Sequence, residues 1–184
     1  MSERAYLILS AIEQDRPGLV AEMTGFIAAK GCNVEDSRVV VLGGYAGLMF
    51  LISGSEEQVR AVERAVEKGG EVRAVSRRIA AQPASPAGGP APASFVVTAR
   101  AMDHEGIIHA VTDIVRAHGG NILELETSTE SAPMSGSPLF GMRMVLTLDE
   151  RHGSAARLRD ALDAVARAQA IDLELREGAE ATIA

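Results

Sequence analysis

The stretch Ala5 to Glu13 (AYLILSAIE) alternates in part and is apolar enough for a half-buried or central strand. Past Pro17 the period changes: Leu19, Met23, Phe26 and Ile27 recur at helical spacing, and Gly31 is expected to end that helix. Asn33 to Leu42 (NVEDSRVVVL) predicts a second strand. Gly43-Gly44 has the composition of a two-residue hairpin, and AGLMFLIS (46–53) is its return strand. Ser55 then stands as an N-cap before Glu56 and Glu57, and Val59, Val62 and Val66 mark one face of a second helix. EVRAVSRRI (71–79) closes the unit as a strand.

The second half repeats this order. FVVTARAM (95–102) predicts a strand, and Ile107, Val111, Ile114 and Val115 a helix stripe. NILELETSTE (121–130) and FGMRMVLTL (140–148) form a hairpin, Leu158, Leu162 and Val165 lie on another helix, and AIDLELRE (170–177) is the last strand. Shifting the chain by 88 positions superposes Leu7–Arg38 on Phe95–Glu126 without a gap. The identities include Ala11/Ala99, Asp15/Asp103, Gly18/Gly106, Thr24/Thr112, Gly31/Gly119 and Asn33/Asn121, most of them at element ends. The second hairpin loop, SAPMSGSPL, is the longer of the two.

Between the copies runs QPASPAGGPAPAS (82–94), whose prolines and glycines suit a semi-extended linker. The expected organisation is domain 1 over 1–81, linker 82–94, domain 2 over 95–178 and a tail over 179–184. Each domain reads βαββαβ, the ferredoxin-like α+β arrangement. It should form a four-stranded antiparallel sheet, ordered 4-1-3-2, with two helices on one face.

Composition narrows the function classes. Apolar residues make up 47% but aromatic ones only 3%, so the cores must be built from Val, Leu, Ile, Ala and Met. The net charge of −7 opposes a general nucleic-acid binder. Its acidic excess falls in residues 82–184. A single cysteine, Cys32, rules out an intrachain disulfide framework and fits a reducing compartment. No signal-peptide pattern or membrane-length apolar run occurs, and a cytoplasmic location is expected.

The duplicated strand-to-helix turn, QDRPGLV (14–20) and DHEGII (103–108), is the main candidate for chemistry. Asp15 is placed to cap the helix, Pro17 suits its first turn, and Gly18 removes a side chain where the helix leaves the sheet. The result is a helix start whose N–H groups and dipole favour a carboxylate or phosphate, although the same residues also serve simply to begin a helix. Asn33 and Asn121 recur where each helix hands over to its next strand, a place where asparagine also serves as a plain helix terminator.

The Asp-x-x-Gly turn and the Gly-x-Asn helix exit, on a duplicated βαββαβ frame, resemble the ACT domain. The run Gly31-Cys32-Asn33-Val34-Glu35-Asp36-Ser37-Arg38, with Leu42-Gly43 and Ser53-Gly54-Ser55, resembles the glycine cleavage system transcriptional repressor family, whose members carry tandem ACT domains. The resemblance implies a non-catalytic regulator that binds a small ligand, such as the amino acid glycine, at interfaces between ACT domains. One site would be lined by Asp15, Arg16, Pro17, Gly18, Leu19 and Asn33, the other by Asp103, His104, Gly106, Ile107 and Asn121. Glu105 replaces Pro17 in the second turn, and its carboxylate would repel an anionic group, which favours the first site. The resemblance further implies a homo-oligomer that controls glycine cleavage gene expression through a separate DNA-binding regulator protein. The alternative is an ACT-domain interaction scaffold without ligand binding.

No other chemistry is assembled. His104, His109 and His118 do not share one helix face, so no metal site is expected, and no cofactor motif occurs. Cys32 lacks a partner base. Glu35 and Asp36 should point to opposite faces of a strand, while Asp36 and Arg38 should lie side by side. With no nucleophile elbow or phosphate loop either, an enzyme is not expected, nor is direct contact with DNA or a membrane.

Overall fold

The structure is a computed structural model and describes residues 4–69, 72–79, 93–132, 136–148 and 154–178. The chain divides into two compact units, Met1–Ala87 and Gly88–Ala184. The first contains β1 (Ala5–Gln14), α1 (Leu19–Ala29), β2 (Asn33–Leu42), β3 (Tyr45–Gly54), α2 (Glu56–Glu67) and β4 (Val75–Ile79). The second contains β5 (Ala93–Met102), α3 (Ile107–Ala117), β6 (Gly120–Ser131), β7 (Pro138–Leu148), α4 (Ala155–Gln169) and β8 (Asp172–Glu177).

Both sheets are antiparallel, ordered β2-β3-β1-β4 and β6-β7-β5-β8, which is the 4-1-3-2 arrangement twice. Strand alternation dictates which residues meet the helices. Leu7, Leu9 and Ala11 of β1 and Ala46, Leu48, Phe50 and Ile52 of β3 point one way. They form one buried cluster with Leu19, Met23 and Ile27 of α1 and Val59, Val62 and Val66 of α2. Both helices therefore cover the same sheet face. The second unit repeats this with Phe95, Val97 and Ala99, the even-numbered residues from Phe140 to Leu148, and Val111, Val115, Leu158 and Leu162. Val165 lies in α4 but outside this cluster.

Local signals account for much of the geometry. Gly43 and Gly44 have φ of 57° and 83°, as a two-residue hairpin with two left-handed positions requires, and Leu42 pairs with Tyr45 across it. Ser55 caps α2 in a reciprocal box: its hydroxyl accepts from the Gln58 N–H, and its own N–H donates to Gln58 Oε1 at 2.7 Å.

Several expectations need correction. Helix α1 begins at Leu19, two residues after Pro17. Strand β4 covers only Val75–Ile79 of the expected 71–79; residues 72–74 are not strand, and residue 71 lies outside the described residues. Ala170 takes a left-handed conformation, φ 54°, so the last strand starts at Asp172. Ala93 and Ser94, placed in the linker by composition, belong to β5, while the rest of 82–94 and the tail 179–184 lie outside the described residues.

Strand alternation also fails at Glu35. A bulge between Val34 and Asp36 sets Asp36 opposite Leu51, while the Glu35 carboxylate accepts from the Ser53 hydroxyl at 2.5 Å. Leu51 and Ser53 are two apart on β3, so Glu35 and Asp36 share a face. Asp36 pairs with Arg38 at 2.8 Å, as expected. A bulge recurs at the equivalent place in β6, between Ile122 and Glu124.

Candidate functional site

The turn at Arg16–Leu19 is a type II turn rather than the first turn of a helix. Pro17 takes its second position, Gly18 its third with φ 90° and ψ −10°, and the Leu19 N–H closes it on the Arg16 carbonyl at 3.3 Å. Gly18 is thus the helix N-cap, and no side chain caps α1. This corrects the capping role expected of Asp15, because the turn sets two residues between Asp15 and the N-cap. The Asp15 backbone N–H donates instead to the Gly44 carbonyl, tying the turn to the hairpin tip.

The consequence is a pair of exposed donors. The N–H of Glu22 reaches the Gly18 carbonyl at 2.9 Å, but those of Val20 and Ala21 find no acceptor among the described residues. A helix start of this kind presents donors and a positive dipole end to anything anionic that approaches. The second copy repeats it: Gly106, φ 89° and ψ −1°, is the N-cap, no side chain caps α3, and the Asp103 N–H donates to Pro138. Leu19 and Ile107 are buried with their side chains in the cores, so they can offer a ligand backbone only.

The flanking side chains differ between the copies. Arg16 turns onto Glu22 with two bonds, 2.6 and 2.5 Å. That hydrogen-bonded pairing raises the Arg16 pKa and lowers that of Glu22. His104, at the position of Arg16, reaches across to the Gln169 carbonyl at the end of α4, 3.4 Å from Nε2. His118 lies 2.8 Å through Nδ1 from the Ile114 carbonyl.

Asn33 sits at the opposite end of its domain. The turn follows the end of β1 where Gln14 pairs with Tyr45, whereas Asn33 pairs with Ser53 at the other end of the sheet. The 11 residues of α1 separate them, about 16 Å at 1.5 Å per residue. Asn121 is set apart from Gly106 in the same way by α3. Within one domain, then, the turn and the asparagine cannot hold the same small ligand. Asn33 donates through Nδ2 to Glu35 at 3.1 Å, which leaves its carbonyl oxygen as the available acceptor. Hydrogen bonds from Ser53 and then Asn33 hold the Glu35 carboxyl below its usual range, and Arg4 adds to this. Leu123 stands at the bulge in place of Glu35, so the second copy lacks this carboxylate.

Sequence reasoning missed Glu35 as the partner of Asn33, and missed Glu22. A bulge leaves no local mark in NVEDSR, but the spacing of Arg16 and Glu22 across a turn and one helical turn was a readable signal. Cys32 is buried against the first core, and burial pushes its thiol pKa up, which keeps it protonated and unreactive. No helix among the described residues is long and apolar enough to cross a membrane.

Residues 5–75 match the ACT domain family. Over 135 residues, 72% of this chain and 69% of the relative, the sequence is 35% identical to the glycine cleavage system transcriptional repressor of Escherichia coli. Among solved structures, an unknown protein from Galdieria sulphuraria is 28% identical with a TM-score of 0.76, matching 96% of this chain and all of that one. A crystal structure provisionally named as a glycine cleavage system transcriptional repressor superposes with a TM-score of 0.66 over 95% of this chain and 98% of its own, at 22% identity.

Proposed function

Because the chain belongs to the tandem ACT-domain family that includes the glycine cleavage system transcriptional repressor, we propose that it is a non-catalytic cytoplasmic regulator whose glycine turns bind an amino acid. The carrying observation is the helix start without a side-chain cap, built the same way at Gly18 and at Gly106. Val20 and Ala21 present two N–H groups to a carboxylate, and Gly18, with open space where a Cβ would stand, lets the ligand approach the backbone.

The Asn33 carbonyl oxygen suits the ligand's ammonium group. Since turn and asparagine lie at opposite ends of a domain, a ligand bonding both takes them from different ACT domains, here assigned to two copies of the chain. The edge strand β2 supports self-association: Val39, Val40, Val41 and Leu42 are 47–69% exposed in an unbroken apolar run. Binding would be passed on to a separate DNA-binding regulator that controls glycine cleavage genes. Among the described residues the helices of each domain are separated by strands, an order without a helix-turn-helix for DNA.

Thermal unfolding of the purified chain against each of the common amino acids tests this reading. A ligand specific for the native state, at 100 times its dissociation constant, should add about 2.7 kcal/mol to stability. A flat response to all of them would favour a scaffold without ligand binding.

A further inference from the structure

An asparagine side chain has two unlike ends: its oxygen accepts, its NH2 donates, and the end that faces outward decides what it binds. At Asn33 that choice falls to Glu35. Asn33 Nδ2 donates to Glu35 Oε1 at 3.1 Å, and the same oxygen accepts from the Ser53 hydroxyl at 2.5 Å and from Arg4 Nη1 at 3.4 Å. The bond from Ser53, and then that from Asn33, holds the Glu35 carboxyl below its usual range, so at neutral pH it is ionised. An ionised carboxylate only accepts. Asn33 therefore meets it with NH2, and the amide oxygen is the end left for anything else.

The bulge in β2 puts Glu35 there. Asn33 pairs with Ser53 and Val34 with Ile52, but the next pair is Asp36 with Leu51, so Glu35 is the extra residue without a partner across the ladder. Its carboxylate turns back to the Asn33 amide and to the hydroxyl of Ser53, which is buried. The second domain supplies an internal comparison. Asn121 pairs with Thr147, a bulge again separates Ile122 from Glu124, and the extra residue is Leu123. Leucine accepts nothing, so no acceptor at that position fixes the Asn121 amide, and either end can face outward. The two asparagines kept through duplication thus differ in what they present.

We propose that Glu35 is a positioning residue that sets the ligand preference of the first domain. It fixes the Asn33 amide with its oxygen outward, so the site takes a hydrogen-bond donor and turns away an acceptor, a choice the second domain does not make. This role rests on the reading that Asn33 lines a ligand site. It adds a residue outside that site, acting through Asn33 without touching the ligand, and a rule of selection.

Three forms of the full chain test it: the wild type, Glu35→Gln, whose amide oxygen accepts the same bonds without the charge, and Glu35→Leu, which copies Leu123 at the equivalent bulge. Circular dichroism checks that both variants are folded. In nuclear magnetic resonance of the free chain, one Asn33 side-chain amide proton should lie downfield of free asparagine in the wild type and return to the free value in Glu35→Leu. A wild type already at the free value overturns the proposal. Calorimetric titration then compares alanine with pyruvate, which share a carboxylate and three carbons but differ in an ammonium donor against a keto acceptor. The wild type and Glu35→Gln should favour alanine, while Glu35→Leu should gain about tenfold in pyruvate affinity, the worth of one hydrogen bond. An equal pyruvate gain in Glu35→Gln overturns the proposal, because loss of charge then explains it. Alanine binding with no pyruvate gain in Glu35→Leu also overturns it and leaves the ligand reading standing. Binding of neither compound to any form overturns the ligand reading, and the selection with it.

Discussion

Glycines of the first domain that share a left-handed backbone carry different burdens. At Gly18, φ 90°, a Cβ would meet nothing within 4 Å, so a side chain there costs only backbone strain. Gly18→Ala should lose about 1–2 kcal/mol in denaturant unfolding, and its new methyl would stand where a ligand approaches the turn. At Gly31, φ 73°, a Cβ would lie 2.5 Å from Gln58 Nε2. Gly31→Ala should therefore add to the strain the loss of the Ser55–Gln58 box, about 1 kcal/mol more, and exceed Gly18→Ala in the same assay. Equal losses would mean that Gln58 moves aside at no cost. The Asp-x-x-Gly pattern was legible because a type II turn needs glycine at its third position. Its register was not, since Pro-Gly serves a turn and Pro a helix start equally well, and only the closed Arg16–Leu19 hydrogen bond decides between them.

At the scale of elements, short β4 is fastened to α2 by charge. Arg78 bonds Glu63 at 3.1 and 2.5 Å and Glu56 at 2.6 Å. The hydrogen bond from Arg78 chiefly holds the Glu63 carboxyl below its usual range. A carboxyl lowered in the folded state stabilises fully above the ordinary glutamate range, and the contribution fades as pH falls through the lowered value. Glu63→Gln should cost up to about 1 kcal/mol at neutral pH, and its gap in melting temperature to the wild type should close in acid. A gap independent of pH would mean that Glu63 acts by packing. The order of elements, the Gly-Gly hairpin and the Ser55 cap could be read from the chain because each is written within a few residues. The β2 bulge and the shortness of β4 could not, because partner strands set them. The exposed apolar run of β2 has its own test: Val40→Lys should lower self-association measured by sedimentation, since a charge on an edge strand opposes pairing. Unchanged association would place the contact elsewhere.

Across the whole molecule, duplication has produced two similar frames with unequal sites. The first has proline in its turn and Glu35 beside Asn33; the second has Glu105, Leu123 and the His104 bridge. Left-handed glycine N-caps without a side-chain cap recur in both, and the proposed amino acid is assigned to the first, where no counterpart of Glu105 opposes its carboxylate. The amide exchange of Val20 and Ala21, read residue by residue in the free and ligand-saturated chain, tests this most directly. The account predicts that a bound amino acid slows both amides more than it slows Ile108 and His109. Saturation that leaves Val20 and Ala21 exchanging as in the free chain would contradict it.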